Sequence, residues 1–252
     1  MDKSALLGYT GFIGKNLNEM FEFDDLYNSK NIGQIENKEY NLIISAANSG
    51  VKWKVNQDPE ADLENIKKFI KIIDSVTTNK FVLISTIDVY PESVNADEDT
   101  IVQENTKNAY NSNRSYLEKF VRKRFENHLI IRIPIIYGKY FRKNFIFDLL
   151  NDHEIEKINA KAKFQIYNVK NLKKHIEICL KNNIKTINLA TEPIDVTEIA
   201  DKIFGIDLVN NDKEFVYNMK SKYFELFDGA NGYIQSKEEI LNELREFKDN
   251  YK

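Results

Sequence analysis

A chain of 252 residues, 42% of them hydrophobic, is long enough for one sizeable core, or a core with a modest appendage. With 30% charged residues and no apolar run long enough to cross a bilayer, the composition excludes a membrane-spanning protein. A net charge of −3 argues against nucleic acid, which asks for a basic surface.

Ser4 to Leu7 reads as the end of a buried strand, followed by a glycine turn and an amphipathic helix through about Phe21. Leu26-Tyr27 is a short strand, and Tyr40 to Ala47 an apolar run of strand length. Ala61 to Val76 has helical periodicity, with Leu63, Ile66, Phe69, Ile70 and Ile73 on one face. Lys80 to Ser85 is a further buried strand, Tyr110 to Phe125 a long helix, and His128 to Ile133 another strand. Strands alternating with helices predict an α/β fold, a Rossmann-type doubly wound parallel sheet covered on both faces. Beyond about Phe141 the rhythm loosens into helices and short strands. The expected division is a dinucleotide-binding part over 1–140, with later segments interleaved, and a small α/β substrate-binding portion over 141–252. The single cysteine, Cys179, lies in an apolar-periodic helix and excludes an intramolecular disulfide framework. His128, His153 and His175 lack metal-ligand spacing, so no metal is expected. The few residues ahead of Gly8 leave no room for a signal peptide, and the expected location is the cytoplasm.

Gly8, Gly11 and Gly14 fall between the first strand and the first helix. The first glycine permits a tight turn, the second lets backbone amides approach a pyrophosphate, and the third allows close helix–strand packing. The helix N-terminus adds unpaired N–H groups and partial positive charge. Thr10, Phe12 and Ile13 complete this cofactor turn. A fold selecting NAD places an acid after the second strand. Here Asn28, Ser29 and Lys30 follow Leu26-Tyr27, and a hydroxyl with an ammonium suits a 2′-phosphate. NADP(H) is therefore the preferred cofactor; the alternative is NAD(H), with Asp25 holding its ribose.

Ser85-Thr86-Ile87-Asp88-Val89-Tyr90 ends a strand in hydroxyls, and Tyr110 and Arg114 share one face of the following helix. At these residues the chain resembles the extended short-chain dehydrogenase/reductase superfamily, within it the sugar-nucleotide epimerases, dehydratases and ketoreductases. Gly8 to Gly14 is similar to the GxTGFIG turn, and Ser85 to Tyr90 to S-[ST]-x-x-V-Y. Asn95 to Thr100 is similar to the acidic loop that follows. Tyr110 to Glu118 resembles Y-x-x-x-K-x-x-x-E with arginine in the lysine place, and Arg132 to Gly138 is similar to R-x-x-x-x-Y-G. The resemblance implies that Tyr110 is the acid/base on a carbonyl–hydroxyl pair and that Thr86 donates a hydrogen bond to the same oxygen. It further implies that Arg114 lowers the tyrosine pKa and holds the nicotinamide ribose. Ser85, Ala46, Ala47, Ile133 and Pro134 are expected beside the cofactor. Dehydratases of the family carry two acids after the threonine, whereas here Ile87 precedes the lone Asp88, which disfavours dehydration.

Expected substrate contacts are Ser49, Lys52, Trp53, Thr86, Ile87, Asp88, Tyr137, Asn144 and Phe145. The indole of Trp53 between Lys52 and Lys54 suits a sugar or an anionic group, and equally suits a surface tryptophan on lysine stems. Leu117, Phe120 and Val121 form a stripe that the resemblance assigns to a homodimer and that serves equally as intramolecular core. The leading expectation is 4-keto reduction of a nucleotide-linked sugar. The alternatives are a sugar-nucleotide epimerase and a catalytically impaired NADP(H)-binding module.

Overall fold

The computed structural model describes residues 3–48, 50–102, 108–210 and 212–251. In chain order the first elements are β1 (Ser4–Leu7), α1 (Phe12–Met20), β2 (Asp25–Tyr27), β3 (Glu39–Ser45), α2 (Lys52–Gln57), α3 (Pro59–Asp74), β4 (Thr77–Thr86), α4 (Ala109–Arg124) and β5 (His128–Ile133). There follow β6 (Ile135–Tyr137), α5 (Phe145–Asn151), β7 (Ala162–Phe164), β8 (Ile166–Asn168), α6 (Leu172–Lys181), β9 (Thr186–Asn188), β10 (Ile194–Asp195), α7 (Val196–Ile199), β11 (Phe215–Val216) and α8 (Lys237–Asp249). Two compact units result, one formed by Met1–Pro91, Thr100–Arg132 and Cys179–Ile187, the other by Glu92–Asp99, Ile133–Ile178 and Asn188–Lys252.

The first unit is built on a six-stranded sheet of order β2-β1-β3-β4-β5-β9, and the expected Rossmann-type sheet is present. β1 pairs in parallel with both β2 and β3, so strand order reverses between the carboxyl ends of β1 and β3. Ligands of open α/β sheets bind at such a reversal. Apolar runs with no alternation make these strands, because helices bury both faces. Ile66 and Ile73 of α3 and Leu117 and Val121 of α4 share one core with Leu83, Phe81 and Ile130 of the sheet. Two residues of the α4 stripe are thus intramolecular core. Asp58 caps α3 by accepting from the Ala61 N–H, with Pro59 at the first position and Glu60 and Asp62 in the first turn. Asn108 caps α4 by accepting from the Tyr110 N–H.

The second unit carries two small sheets, β10-β7-β11 and β6-β8. Glu98 fastens its leading segment, accepting from the Asn188 N–H at 2.8 Å, the Ser221 hydroxyl at 2.7 Å and the Lys222 N–H at 2.9 Å. Tyr137, Phe141, Phe147, Phe247 and Tyr251 form an edge-on aromatic cluster. Among the described residues no helix is long and apolar enough to cross a membrane, and no group of three or more His, Cys, Asp or Glu side chains could hold a metal ion.

Candidate cofactor and catalytic site

The glycine turn leaves β1 with Gly8 at φ +86°, and its amide donates to the Tyr27 carbonyl at 2.7 Å. A Cβ on Gly8 would lie 2.5 Å from the Ala46 carbonyl oxygen, and one on Gly14 would lie 2.0 Å from the Gly8 oxygen. Both glycines are therefore demanded by the protein's own backbone. Gly11 is different. Its Cβ would meet nothing closer than the Gly8 oxygen at 3.4 Å, and its φ of −76° suits any residue. Packing does not require glycine there, whereas a phosphate approaching the start of α1 does. That helix start has no side-chain cap and no acid in its first turn, so its N–H groups favour an anion. Ala46 and Ala47 lie against Gly8, and the buried Ser45 hydroxyl just before them has no hydrogen-bond partner among the described residues. Thr10 is exposed beside them. The residues present fit a dinucleotide.

Beyond β2, Asn28 donates to the Tyr9 hydroxyl at 3.1 Å and accepts from the Lys30 N–H at 2.8 Å. Ser29 and Lys30 are exposed, and no acid joins them. Asp25 is placed differently from the ribose-holding role that the NAD(H) alternative gave it. Its register with Ala5 places it at the start of β2, away from the strand's carboxyl end where a ribose would sit. Its carboxylate accepts from Lys3 at 2.8 Å and from the Tyr40 hydroxyl at 2.5 Å. Burial pushes the Asp25 carboxyl up, but those contacts outweigh it and hold the group below its usual range.

Thr86 ends β4, half-buried, and its hydroxyl oxygen accepts from the Asp88 N–H at 3.1 Å. Lys52 pairs with the Asp88 carboxylate at 2.7 Å, while Trp53 beside it is 65% exposed. Ile87 is buried. Tyr110 is buried in the first turn of α4, and its N–H donates also to Asn56 Oδ1 at 3.1 Å. The Arg114 guanidinium lies over the Tyr110 ring at 4.7 Å, as the shared helix face predicts. Both its terminal nitrogens donate to Asp62, Nη1 to Oδ2 and Nη2 to Oδ1, each at 3.0 Å. Asn113 Nδ2 donates to the same carboxylate at 2.9 Å. Burial pushes the Tyr110 hydroxyl up, and so do the nearby Asp88 and Asp62 charges; Arg114 opposes them without reversing the direction.

Ser85, expected beside the cofactor, has its hydroxyl engaged within the protein. Its hydroxyl donates to buried Glu118 Oε1 at 2.6 Å. Arg132 grips Glu118 through Nη2 at 2.6 Å and reaches the Tyr90 hydroxyl through Nη1, also at 2.6 Å. Asp62 carried no sequence signal, since an acid in the first turn of a helix is ordinary; Ser85, Tyr90, Glu118 and Arg132 each stand at a motif position, but their contacts with one another were not legible there.

The second unit holds Ile133, Pro134, Tyr137, Asn144 and Phe145. Ile133, Pro134 and Tyr137 are buried. Asn144 caps α5 with its oxygen, accepting from the Ile146 and Phe147 N–H groups, while its Nδ2 donates to the Ile136 carbonyl at 2.8 Å. Phe145 is buried against Phe164, ring centroids 5.5 Å apart. These two side chains are committed to capping and packing within the unit. Ser49 lies outside the described residues.

No protein-family model matches the sequence, and no curated protein matches it. Solved structures do. A dTDP-4-dehydrorhamnose reductase from Clostridium acetobutylicum superposes with a TM-score of 0.74 at 16% identity, covering 98% of each chain. The Bacillus anthracis dTDP-4-dehydrorhamnose reductase in complex with NADP gives 0.75 at 17% identity over 100% of each chain. A UDP-glucuronic acid 4-epimerase from Bacillus cereus, in complex with a fluorinated UDP-glucuronic acid and NAD, gives 0.75 at 14% identity over 98% of each. The chain has the fold of these reductases and epimerases. At such identities the likeness is one of fold alone, and it covers nearly the whole chain.

Proposed function

We propose that the protein is an NADP(H)-dependent reductase of the 4-keto carbon of a nucleotide-linked sugar. The observation that carries this reading is Tyr110, buried at the start of α4 with Arg114 over its ring, on the same unit as the glycine turn and the Thr86 hydroxyl. Solved proteins of this fold include dTDP-4-dehydrorhamnose reductases, one of them in complex with NADP, which supports both substrate class and cofactor; a UDP-sugar epimerase in complex with NAD shares the fold.

Gly8, Gly11 and Gly14 with the start of α1 would hold the pyrophosphate, and Ser29 and Lys30 the 2′-phosphate. Bound there, the reduced nicotinamide supplies hydride to the carbonyl carbon. Tyr110 gives its hydroxyl proton to the carbonyl oxygen, and Thr86 donates a hydrogen bond to that oxygen. A phenol starts near pKa 10, and here burial raises it further, so it is protonated at neutral pH and ready to act as an acid. Trp53 and Lys52 offer a ring face and a cation to the sugar or its phosphates.

The test is oxidation of NADPH by a panel of 4-keto nucleotide sugars. Turnover that disappears in Tyr110→Phe while NADPH affinity stays near wild type is the expected result; full activity in that variant overturns the assignment. A second reading, a cofactor-binding module without turnover, is favoured by the engagement of both Arg114 terminal nitrogens with Asp62. NADPH binding with no turnover on any member of the panel selects it.

A further inference from the structure

The groups that face the Tyr110 hydroxyl come from every element packed around the start of α4. Arg114 lies on α4 itself, Asp62 on α3, Asp88 just beyond β4, and Lys52 of α2 is bound to Asp88. The charges thus arrive as two ion pairs, Arg114 with Asp62 and Lys52 with Asp88. The first is nearly dry, with side chains 4% and 11% exposed, and it is a fork-to-fork pair with both nitrogen–oxygen distances at 3.0 Å. The Asp62 carboxylate is further secured by Asn113, whose Nδ2 also donates to the Pro59 carbonyl at 3.1 Å. The fork has one consequence for geometry and one for charge. It fixes the plane and height of the guanidinium above the Tyr110 ring, because a planar donor with two bonds to one carboxylate has no remaining rotation. At the tyrosine the Asp62 charge opposes that of Arg114 without matching it, where a lone cation at that distance would favour the tyrosinate more strongly.

We infer that Asp62 is a positioning residue that clamps Arg114 over the Tyr110 ring and offsets part of its charge there, so that the guanidinium draws the tyrosine less strongly toward tyrosinate. The inference rests on the reading of Tyr110 as the acid/base. In reduction the Tyr110 O–H bond breaks and its proton goes to the carbonyl oxygen, as the carbon below accepts the hydride electron pair; solvent then reprotonates the tyrosinate. The reverse oxidation starts from tyrosinate, which has to remove the proton of a sugar hydroxyl. Burial, above all, and the Asp88 and Asp62 charges push the Tyr110 hydroxyl up, while Arg114 opposes them.

The experiment is an NMR titration of the full chain carrying ring-labelled tyrosine, with the Tyr110 resonance identified by its loss in Tyr110→Phe. In wild type the Tyr110 signal stays in its protonated position up to the free-tyrosine range and beyond. In Asp62→Asn, which leaves Arg114 charged and unopposed, the midpoint falls by at least about one pH unit. Asp62→Glu keeps the charge and returns the midpoint to within about half a unit of wild type. Should Asp62→Asn not fold, Asp62→Ser, which admits water to the guanidinium, carries the same expectation. A midpoint unmoved in the neutral variants overturns the inference, and so does a midpoint lowered as far in Asp62→Glu as in Asp62→Asn, since that is the mark of a merely structural role. These outcomes are separable from failure of the functional reading, which shows instead as full turnover in Tyr110→Phe.

Discussion

Ser85 and Glu118 stand 33 residues apart in sequence, yet the serine hydroxyl donates to the buried carboxylate at 2.6 Å. Arg132, 2% exposed, closes the other side of that carboxylate, and Arg122 adds a third donor at 3.2 Å. The network ties the end of β4 to α4 and β5, and so sets the distance between the Thr86 and Tyr110 backbones. Burial of the Arg132 guanidinium opposes its charge, but Glu118 and the Tyr90 hydroxyl outweigh that and push its pKa above the usual arginine range. Glu118→Gln leaves a buried guanidinium without its counter-ion and is expected to cost about 3–5 kcal/mol. Denaturant unfolding measures this, and a loss under about 1 kcal/mol would contradict it.

The glycine turn separates folding from binding. Gly14→Ala drives a Cβ into the Gly8 carbonyl, 2.0 Å away, and should lower the melting temperature as well as abolish cofactor binding. Gly11→Ala meets only ordinary contact at 3.4 Å, so stability should stay within about 1 kcal/mol of wild type. NADPH affinity, followed by cofactor fluorescence, should nevertheless drop at least about tenfold, because the new methyl stands where the pyrophosphate is proposed to bind. Equal NADPH binding by Gly11→Ala and wild type would place the cofactor elsewhere.

Lys30 offers a direct check of cofactor choice. It is exposed beyond β2, and no carboxylate shares that loop. Lys30→Glu puts a negative charge where the 2′-phosphate is proposed to sit, and should weaken NADPH roughly tenfold while leaving NADH nearly unchanged. Calorimetric titration with both cofactors decides it; a parallel change in the two affinities would remove Lys30 from the ribose site.

Stability should depend on pH through His175. Its Nδ1 lies 2.9 Å from the Tyr167 hydroxyl, and its ring packs edge-on against Phe227 at 5.0 Å. Burial, aided by the Lys174 charge, lowers its pKa from 6.5 to about 4. The unfolded chain therefore binds a proton below about pH 6.5 that the folded chain refuses until about pH 4. Stability from this group is complete above pH 6.5 and falls as the pH drops through that window. The loss should reach about 2 kcal/mol between neutral pH and roughly pH 5, and His175→Gln should flatten it. Paired urea melts at the two pH values test the slope; identical slopes in variant and wild type would contradict it.

What the sequence determined by itself is local. Glycine spacing, unbroken apolar strands and the placement of Tyr110 and Arg114 one helical turn apart all follow from backbone periodicity, which needs no knowledge of distant partners. Those features located the glycine turn, the sheet and the face of α4 that Tyr110 and Arg114 share. The tertiary structure alone decided what each polar group touches. It brought Asp62 to Arg114 across 52 residues, gave Ser85 to Glu118, turned Asn144 into a helix cap and set Asp25 opposite Ala5 at the start of β2. The physical reason is that a charge or amide in sequence has many equivalent partners. Only the packing of α3 on α4, fixed by apolar faces with no polar preference, selects which carboxylate meets which guanidinium. The glycine turn was legible because its cause is backbone shape; the Asp62 clamp was not, because its cause is a contact between helices.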